Sequence, residues 1–197
     1  MRICSIVGAL VATFLFAGAA AAAPLSPPDT AYSATRIIEA AGMTMTGQVH
    51  YDHGKERWET TMQGMRQVSI LLPDEKRMLM YMPDMGMAME VGTGDVDDYG
   101  IGEIYNEGVK AEKIGEESIG GERTSKYRVE HDDGASMFVW ITRDGIPVKA
   151  EGASAEGKFS MHLTDLVRGP QDPALFRLPD GVTATKMPTG MPPMMPR

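Results

Sequence analysis

Methionine is the residue whose number and spacing point most directly to chemistry in this 197-residue chain, which carries 17 of them. Between Arg77 and Val91 they recur at positions 78, 80, 82, 87 and 89, with Pro83-Asp-Met-Gly86 in the middle. Side chains alternate between the faces of a strand with a period of two, so each run presents its sulfurs on one side. If Pro83 to Gly86 is a turn, Met82 pairs with Met87, Met80 with Met89 and Met78 with Val91, and directly opposed residues share a face. The pattern predicts a plate of flexible, polarisable thioethers. Three uses compete: filling an irregular core, offering a deformable surface to an apolar ligand or partner, and coordinating Cu(I) through Met80, Met82, Met87 and Met89. Sulfurs along one strand are about 6 to 7 Å apart, whereas opposed β-carbons are about 5 Å apart, so only the cross-strand pairs converge readily on one ion. The apolar-ligand reading, through Met78, Met80, Met82, Met87 and Met89, is preferred and copper is the alternative.

Other candidate chemistry is sparse. His50 and His53 form an H-x-x-H across a strand end and a turn, without the helix that would align two imidazoles or any cysteine to complete a set. His131 is isolated, and His162 alternates with Ser160 and Thr164 on a polar face. Asp95, Asp97, Asp98 and Glu103 supply oxygen ligands at roughly alternating spacing but lack the twelve-residue calcium loop with its closing glutamate. No G-x-S-x-G, H-E-x-x-H or phosphate-cradling glycine loop occurs. The sequence therefore predicts a protein without catalytic residues or a cofactor.

The segments that must position the methionines read as short strands separated by turns. Met43 to Tyr51 alternates, Asp52 to Lys55 is a turn, and Glu56 to Met62, Met65 to Leu72 and the methionine hairpin continue a meander. Gly92 to Gly108 reads as a loop with one helical turn near Ile101 to Asn106. Strands resume at Glu112 to Ile119, Glu122 to His131, Ala135 to Thr142, Pro147 to Glu151 and Lys158 to Val167, followed by a helical turn near Phe176. In the second of these Glu122, Thr124, Lys126, Arg128 and Glu130 predict a wet face. Ala135 to Thr142 is apolar on both sides and predicts a doubly covered strand.

Composition sets the compartment. Met1-Arg2, an apolar run from Ile3 to Phe16 and the tract Ala17 to Ala23 have the layout of a secretory signal peptide, too short and wrongly flanked for a membrane anchor. Cleavage after Ala22 would remove the sole cysteine, Cys4, and leave a domain held by apolar packing alone. The chain divides into a signal peptide at 1–22, a flexible segment at 23–31, a β-rich domain at 32–186 and a disordered Met/Pro-rich tail at 187–197. A net charge of −8 disfavours nucleic acid and anionic lipid head groups, though not the hydrocarbon of a lipid. The expectation is an exported, periplasmic protein that is not integral to a membrane. Its partner would be a lipid, another apolar small molecule or an envelope protein; a purely structural role is the remaining alternative.

Several short strings resemble a family. Gly54-Lys-Glu-Arg57, Leu72-Pro-Asp-Glu-Lys76, Met80-Tyr-Met-Pro83 and Met87-Ala-Met-Glu90 are similar to the exported bacterial proteins of the DUF4412 family. Gly115 to Gly121, Thr124 to Val129 and Trp140 to Val148 continue the likeness, and Asp172 to Gly181 is shared with the wider group of LolA-like lipoprotein carriers. The resemblance covers Met43 to Gly181. It implies a mainly β fold with little helix: a single curved antiparallel sheet forming an incomplete half barrel, whose concave apolar side can hold acyl chains. Unlike the carriers, the chain has no long amphipathic helical pattern to serve as a lid.

Overall fold

The computed structural model describes residues 25–92, 104–105, 109–130, 136–154 and 157–186. The expected signal peptide, the Asp95, Asp97, Asp98 and Glu103 cluster, His131 and the Met/Pro tail lie outside them. The domain is one curved, open sheet of twelve strands, and among the described residues helix is confined to single 3-10 turns. The strands are β1 (Tyr32–Ala40), β2 (Met43–Asp52), β3 (Lys55–Met62), β4 (Met65–Leu72), β5 (Arg77–Met82), β6 (Met87–Gly92), β7 (Lys110–Ile119), β8 (Glu122–Glu130), β9 (Ser136–Thr142), β10 (Pro147–Ser154), β11 (Gly157–Arg168) and β12 (Ala184–Lys186). Among the described residues no helix is long and apolar enough to cross a membrane.

Local chemistry explains the first six strands. β2–β3 and β3–β4 turn through the two-residue loops His53-Gly54 and Gln63-Gly64, all four residues at positive φ, the geometry whose twist matches the flanking strands. The next two turns share another solution. Pro73 and Pro83 each open a 3-10 turn that closes on a left-handed residue, Lys76 or Gly86, whose N–H donates to the proline carbonyl at 2.9 or 3.1 Å.

The sheet order is β12-β6-β5-β4-β3-β2-β1-β11-β10-β9-β8-β7. Two meanders, β1–β6 and β7–β11, are thus joined by the pairing of β1 with β11, and the chain leaving β6 must pass to the opposite margin before β7 begins. On the way, Ile104 and Tyr105 lie against the main apolar cluster, with Ile104 buried. Most of that cluster lies on one face, here the core face, through Tyr32, Ala34, Val49, Val129, Val139 and Met161. A second cluster, Val68, Ile70, Leu72, Leu79 and Phe176, lies on the opposite, outer face of β4 and β5. The Pro173–Phe176 turn covers it, with Asp172 accepting from the Ala174 N–H at 2.8 Å. The chain then adds β12 alongside β6, a parallel pairing that the strand pattern did not reveal.

Three expectations need correction. The segment before β1 is docked rather than flexible over its described part: Leu25 packs on the core, Pro28 is buried, and Tyr51 donates its hydroxyl to the Pro28 carbonyl at 3.2 Å. The face of β8 predicted to be wet is exposed at Arg128 and Glu130 but covered in part nearer its start, where Glu122 and Lys126 are half-buried. Lys126 and Lys149 place their ammonium groups 4.5 Å from the Trp140 ring centroid, and Thr124 is buried, donating to the Glu117 carbonyl. β9 is consequently covered on that side by lysine stems rather than by an apolar layer, and Trp140 donates Nε1–H to Glu117 at 2.7 Å.

At the end of β11, Arg168 ties together Glu122 (2.9 Å through each oxygen) and Asp144 (2.6 Å). Its hydrogen bond to Asp144 holds that carboxyl down at about 2. A depressed native pKa stabilises the fold above the ordinary carboxylate range and is lost as pH falls toward 2. Arg168→Met should therefore cost about 1–2 kcal/mol at pH 7, discounted for the partial exposure of the pair, and close to nothing at pH 2. Urea denaturation at the two pH values checks this, and an equal loss at both would refute it.

Candidate functional site

The register draws three rows across the core face of the first meander. One runs Tyr32, Tyr51, Glu56, Leu71, Met78, Val91; the next runs Ala34, Val49, Trp58, Ser69, Met80, Met89. The third begins Arg36, Gly47, Thr60, Gln67 and ends with the pair Met82 and Met87. The structure therefore brings together the methionines singled out by spacing, in the predicted pairs: Met80 opposite Met89, Met82 opposite Met87 and Met78 opposite Val91.

Burial distinguishes this plate from the core. The main cluster extends along the face as far as Trp58 on β3, and none of Met78, Met80, Met82, Met87 and Met89 belongs to either cluster. Four of the five are half-buried and Met87 is 47% exposed. They form an apolar extension of the core face. The cause is the turn chemistry: with Pro73-Asp-Glu-Lys76 and Pro83-Asp-Met-Gly86 fixing the register, Leu79 and Tyr81 take the outer face beneath Phe176, which leaves every second residue on the other side.

Polar groups border the plate toward the core, and sequence reasoning missed them. Arg36 is buried and forms a bidentate pair with Glu56, 2.7 Å through each terminal nitrogen. Burial opposes the charge on Arg36, but Glu56 more than offsets it, so the guanidinium stays firmly protonated. Tyr32 and Tyr51 stack with ring centroids 5.3 Å apart; burial pushes both phenols up, and the nearby Glu56 charge adds to it. The Trp58 ring lies 5.8 Å from the Arg36 guanidinium. The available signal was the alternation Tyr32, Ala34, Arg36, Ile38: one charge in an otherwise apolar stripe at the start of the domain.

The described histidines do not assemble. His50 shares a hydrogen bond with Gln171 at 2.8 Å on the outer face, and His53 sits in its turn beside Asp52. Among the described residues no group of three His, Cys, Asp or Glu side chains could hold a metal ion. An open groove of about 550 Å³ also lies on the outer face, between Thr35, Gln48, Arg57, Glu59 and Tyr81. Its charged members satisfy one another, Arg57 donating to Glu59 at 2.6 Å and to the Leu175 carbonyl at 2.9 Å.

No family model and no curated protein matches the chain. Solved structures do. An uncharacterized conserved protein from Thermus thermophilus is similar over 80% of this chain and 91% of its own, with 15% identity and a TM-score of 0.58, which shows a shared fold. A LolA superfamily protein from Nitrosomonas europaea is similar at 12% identity over 79% of this chain and 93% of that one, with a TM-score of 0.38. The complex of Pseudomonas aeruginosa MucA and MucB contains a chain similar at 14% identity over 84% of this chain and 62% of that one, with a TM-score of 0.44. The half-barrel sheet expected from the sequence is present, whereas the DUF4412 likeness rests on its short motifs alone.

Proposed function

We propose that this chain is an exported, non-catalytic envelope protein that binds the hydrocarbon of a lipid on the methionine plate of its core face. The observation that carries the reading is the incomplete burial of Met78, Met80, Met82, Met87 and Met89, an apolar surface continuous with the core but outside both packed clusters. Unbranched thioethers repack around acyl chains of different length and unsaturation at little cost, which suits a carrier surface better than a filled interior. The signal-like N-terminus supports export, and the acidic chain favours contact with hydrocarbon over anionic head groups. Cu(I) handling is the second reading, favoured by the cross-strand pairs Met80–Met89 and Met82–Met87.

Replacing Met80, Met82, Met87 and Met89 together by leucine separates the two, because the swap preserves volume and apolarity while removing every sulfur. The variant should fold and bind a fluorescent probe with a long alkyl tail within about tenfold of the wild-type affinity, a difference of about 1.4 kcal/mol. Wild-type protein that takes up Cu(I), loses it in the variant and never binds the alkyl probe would overturn the lipid reading in favour of the metal.

A further inference from the structure

Next to the plate, two N–H groups are buried without a hydrogen-bond partner among the described residues: Nε of Arg36 and Nε1 of Trp58. The Arg36 side chain is only 9% exposed and commits both terminal nitrogens to Glu56. Gly47 lies opposite Arg36 in the register, and a β-carbon there would come within 2.9 Å of Trp58 Nε1. The N–H edge of the indole therefore sits over the bare backbone of Gly47, on the face of the sheet that Arg36 shares. Burying a donor unpaired costs more than an ordinary hydrogen bond gains, so two such donors on one face are a feature to be explained.

We propose that Arg36 and Trp58 anchor the carbonyl oxygen of a long-chain ester or amide whose hydrocarbon runs across Ser69 onto the methionine plate. This deepens the lipid reading and rests on it. The register supplies the path: Trp58, Ser69, Met80 and Met89 are successive members of one row, a span of three strand spacings or about 14 Å, with a small side chain at the only step between indole and thioethers. Charge selects the head. Glu56 already neutralises Arg36, so an ionised carboxylate placed at Nε would face a second carboxylate at close range, whereas an uncharged carbonyl accepts both N–H groups without that repulsion. The site should therefore prefer an esterified acyl chain to the free acid.

Indole ¹⁵N–¹H spectra of the protein test this directly, because the chain has two tryptophans and the other, Trp140, already donates to Glu117. A long-chain fatty acid glycerol monoester should shift the Trp58 indole proton downfield and leave Trp140 in place, while the alkyl probe without a carbonyl should bind without that downfield shift. Trp58→Phe, which keeps an aromatic ring over Gly47, should weaken the monoester about fivefold to tenfold and leave the alkyl probe unchanged. The ionised free acid should bind the wild type more weakly than its monoester. If the monoester binds without moving the Trp58 resonance, or Trp58→Phe weakens both probes equally, the anchor is wrong and the lipid reading stands. If neither probe binds the wild type, both fall.

Discussion

Glu56→Ala should lower the unfolding free energy by about 3 kcal/mol, while the double replacement Arg36→Met with Glu56→Leu should recover most of that loss. The asymmetry follows from burial. Arg36 lies beneath the core face at 9% side-chain exposure and is held charged by Glu56, so deleting the carboxylate strands a guanidinium beside Tyr32 and Trp58. Glu56 keeps a quarter of its side chain in contact with solvent, which places the cost at the lower end of the range for breaking a buried pair. Removing both charges leaves only an apolar face, which packing can fill. Urea unfolding of the two variants and the wild type at pH 7 measures this, and a single variant within about 1 kcal/mol of wild type would show that Arg36 finds another counter-charge.

Gly47→Ala should be at least as damaging, costing about 3 kcal/mol or more. A β-carbon at position 47 would overlap the carbonyl oxygen of Glu59 and fall 2.9 Å from Trp58 Nε1. The first contact is with backbone, which cannot rotate away, so the β2–β3 pairing would have to open and Trp58 would lose its seat. Gly115→Ala is the matched control: it also lies in a strand, nothing lies within 4 Å of the added carbon, and its cost should stay within about 1 kcal/mol. Equal stabilities of the two variants in a urea titration would show that β2 and β3 separate at Gly47 without loss.

The methionine hairpin was legible because everything that determines it is local. A period of two and a four-residue Pro-Asp turn settle which thioethers oppose each other, and the same reasoning located most strand boundaries within a residue or two. Arg36 and Glu56 could not be paired in that way, since their contact depends on the order of three strands and on the side to which each points. Trp140 likewise gave only a strand apolar on both faces; that two lysines from neighbouring strands would cover it is a property of the assembled sheet.

From the sequence came the succession of strands and turns and the paired methionines on one face of one hairpin, and from its resemblance to the LolA-like carriers the half barrel. Tertiary structure decided what those methionines are. Periodicity specifies that they share a face but not whether the face is covered, because burial is set by segments distant in sequence: Phe176 arrives over Leu79 on one side, while on the other the main cluster, among the described residues, extends as far as Trp58. The docking of Pro28 beneath the Gly145 turn, the parallel pairing of β12 with β6 and the two N–H groups near Gly47 that lack a partner among the described residues have the same origin. Each is fixed by which surfaces remain after the strands have taken their order, and that order is a non-local outcome of packing.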